Sequence, residues 1–204
     1  MMPTQTAIEV PKRLRKRPKD PRGYPIPYVA LVDKGKRAHF TISDQMRVLE
    51  VATKGLCGLC GDKLKDEGKG AWFIGGPICF THPQGAFLDP AMHEDCARYA
   101  VQVCPYLAAP RYAKRIDDKT LTPGALDADM VIAGHPMVAD DRPAVFVLGS
   151  CAGYAVTQTG PQTIVLRNPE QDWQVLEMWL HGRQVLDPDE MKRLFDLDNQ
   201  RHQT

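Results

Sequence analysis

The sequence predicts an α+β domain, and three observations carry that prediction. Short runs rich in β-branched and aromatic residues (YVALVD, RAHFTI, AWFI, AVFVL, YAVTQ, QTIVLR) recur between glycine-containing turns, which is the pattern of antiparallel strands. Between and after them lie segments with apolar residues at helical spacing. Finally, two chelating pairs of cysteine and histidine, Cys57 with Cys60 and His93 with Cys96, stand on either side of one of the strand runs.

Composition bounds the class. With 204 residues, 43% hydrophobic and 25% charged, the chain can bury an apolar core, and its make-up is that of a globular protein rather than a disordered or fibrous one. No stretch approaches the roughly 20 consecutive apolar residues of a membrane span, and the polar, basic start lacks a signal-peptide core. A cytoplasmic location is expected. Six cysteines without a signal peptide, two of them spaced CxxC, favour reduced thiols and metal binding over disulfides.

The net charge of +1 conceals an asymmetry. Residues 1–22 hold seven basic residues against Glu9 and Asp20, or +5, whereas the remaining 19 basic and 23 acidic residues give −4. The run PKRLRKRPKDPRG has few apolar residues and three prolines, so residues 1–22 are expected to be a flexible basic arm. Residues 23–204 are expected to form a single α+β domain.

Taken in order, the first element is a hairpin from Tyr28 to Ile42 turning at Lys34 and Gly35. Ser43 offers an N-cap for a helix toward Gly55, with Met46, Val48, Leu49 and Val51 as apolar positions. After CGLCGDKL, the runs AWFI and ICF flank Gly75-Gly76-Pro77 and read as two short strands, followed by a loop over 81–90. Met92, Ala97, Ala100, Val101 and Cys104 recur at helical spacing until Pro105 stops the helix. The segment 106–143 reads as irregular, with proline and aspartate patches. A β-meander is expected from AVFVL to QTIVLR, a helix around Trp173 to His181, and a last helix from Asp187 with Pro188 in its first position. The C-terminal meander and helices thus occupy about 143–198.

Cys57, Cys60, His93 and Cys96 carry the clearest chemistry. Gly58 and Gly61 permit a tight turn presenting both sulfurs of the first pair, and the i, i+3 spacing of the second places both side chains on one face of a helix. The set predicts one structural Zn²⁺ per chain. A knuckle, a hairpin and a helix bearing the second pair follow one another in the order of a treble-clef module, here over about 55–105. His82 is a reserve ligand without a close chelating partner, and Cys79 and Cys104 fit core packing.

The runs RGYPIPYVALVDKGKRAHF, GLCGLCG, AWFIGGP, PAMHEDCARYAVQVCPYLAAPR and VFVLGSCAGYAV together resemble an uncharacterised family of proteins from bacteria and their phages, in the same order over most of residues 22–157. The resemblance implies a single domain with a zinc-binding module, encoded by a phage or prophage, and brings no activity with it.

Catalytic readings lack parts. An HNH-type nuclease needs a histidine and an acid at the hairpin, and only His82 lies near it. Gly149-Ser150-Cys151-Ala152-Gly153 matches the GxCxG form of a nucleophile elbow, but the runs after it read as strands where the elbow needs a helix. The leading expectation is therefore a non-catalytic, zinc-stabilised protein that docks on a host or phage protein. The alternative is a nucleic-acid-binding protein whose Lys12, Arg13, Arg15, Lys16 and Arg17 neutralise phosphates.

Overall fold

The first paired strands among the described residues form a tight hairpin. In the computed structural model, which describes residues 8–64, 70–110, 142–158 and 164–201, β1 (Ala30–Val32) pairs antiparallel with β2 (Ala38–Ser43). The Asp33 carboxylate shapes the turn by accepting the Arg37 N–H at 2.9 Å and facing His39 Nε2 at 3.0 Å. Helix α1 (Gln45–Lys54) follows. Its N-cap is Asp44 rather than the expected Ser43: the Asp44 side chain accepts the Met46 and Arg47 N–H groups, and Gly55 ends the helix in the left-handed region. Val48, Val51 and Ala52 face the core, whereas Met46 and Leu49 are exposed.

The expected hairpin of AWFI with ICF is corrected. β3 (Ala71–Gly75) is followed not by a strand but by the short helix α2 (Pro77–Thr81). Pro77 cannot donate to a ladder, and its fixed φ suits the first position of a helix. β3 instead pairs with β4 (Phe146–Cys151), more than 70 residues away in sequence, at the edge of a four-stranded antiparallel sheet ordered β3-β4-β7-β8.

β7 (Val175–Leu180) occupies the segment expected to be a helix around Trp173 to His181, and β8 (Arg183–Val185) returns alongside it. The link between them, His181-Gly182, has positive φ at both residues (50° and 76°), the geometry that two-residue hairpins require and that Gly182 makes accessible. The expected meander is also rearranged. β5 (Ala155–Gln158) and β6 (Ile164–Arg167) form their own two-stranded sheet, and Leu166 exchanges both backbone hydrogen bonds with Phe87, stapling the 81–90 loop to β6. α3 (Glu94–Val103), α4 (Pro105–Ala108) and α5 (Pro188–Arg201) complete the α+β architecture. α5 begins where expected, with the Asp187 carboxylate accepting the Asp189 and Glu190 N–H groups. The Glu190 carboxylate pairs with Arg193 at 2.7 Å. Among the described residues no helix is long and apolar enough to cross a membrane. Most of 106–143, expected to be irregular, lies outside the described residues.

Within the segment expected to be a flexible arm, residues 8–22 run in turns. Leu14 donates its N–H to Pro11, Arg17 to Leu14, and Ile26 to Pro18, so the segment folds back on the domain in consecutive turns. Leu14, the large apolar residue of the basic run, is 1% exposed. Burying such a side chain is worth about 1.5–3 kcal/mol, more than an exposed ion pair at up to about 1 kcal/mol, so Leu14 anchors the segment and the charges trim it. A composition argument counts apolar residues and is blind to the placement of a single one.

The main core is aromatic. Phe73 and Phe87 lie 4.7 Å apart between centroids, Phe80 and Trp173 4.6 Å, and the Trp173 indole N–H donates to the Phe80 carbonyl at 3.1 Å. Phe80 rests on β4 at Gly149, where an added Cβ would stand 2.5 Å from its ring. Gly149→Ala is therefore expected to lower stability by about 1–3 kcal/mol through overpacking, read as a fall in the urea midpoint. An unchanged midpoint would show that the ring is not seated on β4.

Candidate metal centre

Two local structures converge on one point. In the first, the Cys57 N–H donates to the Asp62 carbonyl at 2.8 Å and the Gly61 N–H to the Cys57 carbonyl at 2.9 Å, closing a knuckle that carries Cys57 and Cys60 on one side. Both glycines are required by close approach as much as by the turn. A Cβ on Gly58 would stand 2.4 Å from the Pro90 ring, and one on Gly61, at φ 80°, would stand 2.6 Å from Tyr28. The Gly58 N–H donates to Ala91 at 3.0 Å, docking the knuckle on the segment that leads to the second pair. There His93 is the N-cap of α3 and Cys96 lies in its first turn, as the i, i+3 spacing implied.

The structure thus brings all four sequence-predicted ligands together: one donor atom from each of Cys57, Cys60, His93 and Cys96 lies within 4.8 Å of every other. Among the described residues no other group of three or more such side chains is gathered in this way. The three sulfurs are buried and the histidine half-buried. His93 Nε2 faces the Lys63 carbonyl at 2.9 Å, and a carbonyl only accepts, so Nε2 carries the proton. Nδ1, 3.5 Å from the Cys60 sulfur, is left with its lone pair turned into the cluster, the outer-contact arrangement that orients ligating histidines. The Asp62 N–H is directed at the Cys60 sulfur at 3.4 Å.

Electrostatics show what the donor set calls for. Burial opposes ionisation of Cys57, yet hydrogen bonds from Cys60, Cys96 and the neighbouring backbone outweigh it and hold this thiol well below its ordinary value. Hydrogen bonding to Cys57 and Cys60, with burial added, pushes the Cys96 thiol far up. Three thiols this close cannot all ionise by themselves. A cation at their common point removes the conflict, so the residues fit a metal ion, which Cys57, Cys60 and Cys96 would hold by sulfur and His93 by Nδ1.

α3 is pinned for this task. Arg98, two positions beyond Cys96 on α3, donates both terminal nitrogens to the Glu177 carboxylate on β7 at 2.9 and 2.6 Å and lies 5.4 Å from the Trp72 ring centroid. The Trp179 indole N–H shares Glu177 at 3.2 Å. No spacing rule reaches this link, because Arg98 and Glu177 stand 79 positions apart.

The basic residues of the N-terminal segment lie beside the centre. Arg13 pairs with Asp95 at 3.4 Å and Lys16 with Asp62 at 2.5 Å, each acid standing next to a ligand or two residues from it. Arg15 pairs with Glu9 at 2.5 Å, and Arg17 donates to the Ile26 carbonyl at 3.1 Å with its guanidinium 5.3 Å from the Tyr28 ring centroid. Lys12 is exposed.

The remaining candidates stay apart. His82 ends α2, exposed, with Nδ1 accepting the Gln84 N–H at 3.0 Å. Cys79 and Cys104 are half-buried, and burial pushes both thiols up, Cys79 to about 11. Cys151 ends β4, fully buried, donating to the Gly153 carbonyl at 3.1 Å; a strand follows it, and burial pushes its thiol up to about 12. Neither the exposure nor the thiolate character of a nucleophile is present there.

Comparison with protein-family models, with curated proteins and with solved structures finds no match to this chain, so the resemblance to bacterial and phage proteins gains no support from them.

Native protein treated with an alkylating reagent at pH 8 is expected to label Cys151 at least about a hundredfold more slowly than urea-unfolded protein, read by peptide mass mapping. Equal rates would restore Cys151 as a reactive thiol.

Proposed function

We propose that this chain is a zinc-stabilised, non-catalytic binding protein that docks on a protein partner. The observation that carries the reading is the closed donor set: three buried sulfurs and one imidazole nitrogen within 4.8 Å, all supplied by the chain, with the second imidazole nitrogen held by Lys63. Structural zinc sites fill all four positions with protein ligands, whereas catalytic ones leave a position to water or substrate. Tetrahedral zinc with Zn–S bonds of about 2.3 Å spaces its sulfurs about 3.8 Å apart, which fits inside that envelope. Thiolate-rich tetrahedral sites also select zinc over magnesium, calcium or manganese.

Docking on a protein is favoured over nucleic acid by what the basic segment does. Arg13, Arg15, Lys16 and Arg17 each spend contacts within the chain, and the charge of residues 23–204 is net negative, which opposes tracking along phosphates. Exposed apolar side chains are present instead, among them Met46 at 56% and Leu49 at 38%, three residues apart on α1. A host or phage protein is the partner that the resemblance to bacterial and phage proteins implies.

Protein purified without chelator is expected to carry about one zinc per chain by mass spectrometry, and Cys57→Ser and His93→Ala to lose it. Chelation should lower the melting temperature, because binding free energy is stability wherever the unfolded chain lacks the site. Well-folded protein without zinc, or a melting temperature indifferent to chelator, sinks the metal reading. Tight, steeply salt-dependent binding to duplex or single-stranded oligonucleotides, lost when Arg13, Arg15, Lys16 and Arg17 are neutralised, would replace protein docking with nucleic-acid binding.

A further inference from the structure

We infer that residues 9–17 are the lid of the metal centre, with Leu14 sealing it and Arg13, Lys16 and Arg17 offsetting its negative charge, so that this segment sets how slowly the ion is released. The inference rests on the metal reading above and assigns a task to residues that the sequence pattern offered to nucleic acid.

Packing supplies the first half of the argument. Leu14 belongs to one buried cluster with Cys57, Cys60, Cys96, Trp72 and Met92, and Val10 packs against the same cluster from the segment's other end. The knuckle and α3 supply the ligands, and the N-terminal segment contributes an apolar side chain to the same packing unit. At 1% exposure Leu14 leaves no path for water at its own position.

Charge supplies the second half. With its three thiolates ionised, a centre holding a divalent cation keeps one negative charge, and Asp62 and Asp95 add two more beside it. Against these three stand three cations of the segment. Arg13 meets Asp95, the residue before Cys96, and Lys16 meets Asp62, two residues after Cys60. Arg17 is tied to the Ile26 carbonyl and to the ring of Tyr28, whose N–H donates to Leu59 inside the knuckle. A partly dehydrated anionic centre gains from such neighbours, because the attraction is screened far less than between two fully exposed charges. Coupling is reciprocal: if the closed segment favours the bound ion, the bound ion favours the closed segment.

Zinc release from the full-length protein, followed with an excess of a chromogenic chelator, tests the inference. Leu14→Asp is expected to release zinc about tenfold faster or more, since a carboxylate is not accommodated in the sealed position. Lys16→Gln is expected to release it about twofold to fivefold faster, with Lys16→Arg at the wild-type rate and the Gln effect shrinking in high salt, which a purely structural contact would not show. Trypsin should cut after Arg13 and Arg15 more slowly in zinc-loaded protein than in protein treated with chelator. Should Leu14→Asp fail to fold, the Lys16 pair decides the matter, because that side chain is 59% exposed and the fold does not depend on it. Wild-type release rates in both Leu14→Asp and Lys16→Gln overturn the lid while leaving the metal reading intact. Protein that carries no metal overturns both.

Discussion

Three thiols and an imidazole meeting at one buried point form the constraint around which this half of the molecule is arranged. Mutual hydrogen bonding holds the Cys57 thiol well below its ordinary value and pushes the Cys96 thiol far above it, so the arrangement is under electrostatic tension. The surroundings do nothing to separate the groups. They hold them together, through a knuckle whose glycines admit Pro90 and Tyr28 at close range and through a helix clamped to the sheet by Arg98 and Glu177. A chain that spends backbone geometry and a partly buried ion pair to keep three thiols in contact presents a donor set that one metal ion could join.

The two cores divide the work. Phe73, Phe80, Phe87 and Trp173 form an aromatic cluster that needs no metal and ties β3, α2, the 81–90 loop and the chain before β7 into one packed mass. The second cluster contains the three candidate sulfur ligands Cys57, Cys60 and Cys96, with Leu14, Trp72, Met92 and Trp179 around them. β3 lies between the two, since successive residues of a strand point to opposite faces: Trp72 serves the metal cluster and Phe73 the aromatic one. The candidate metal centre is thereby mounted on a sheet with its own reasons to fold, and the basic segment lies against it through Arg13 and Lys16.

Much of the site was legible from spacing. CxxC and HxxC are local patterns, and each pair is brought to bear by a few backbone bonds within a knuckle or the first turn of a helix. Helices with strong punctuation were legible for the same reason, α5 starting at Pro188 behind Asp187 and α1 ending at Gly55. Segments whose identity depends on a distant partner were not. ICF became a helix because Pro77 starts one and β4 had taken the ladder beside β3; VLEMWL became a strand because β4 lay open on its other edge and His181-Gly182 turned the chain back. Leu14 sits in a run whose composition predicts a flexible arm, because nothing local distinguishes a lone leucine that finds a pocket from one that does not.

What the sequence determined by itself is the four side chains that could hold a metal, the α+β class, the end of α1 and the start of α5, all of which follow from interactions between residues a few positions apart. Only the tertiary structure decided which strands neighbour one another, that the two ligand pairs face a common point across the 33 positions from Cys60 to His93, and that the basic segment lies against the centre. Those outcomes depend on shape and charge complementarity between segments far apart in the chain, such as Gly58 against Pro90, Arg98 against Glu177 and Lys16 against Asp62. Complementarity of that kind is a property of surfaces that exist only once the chain has folded.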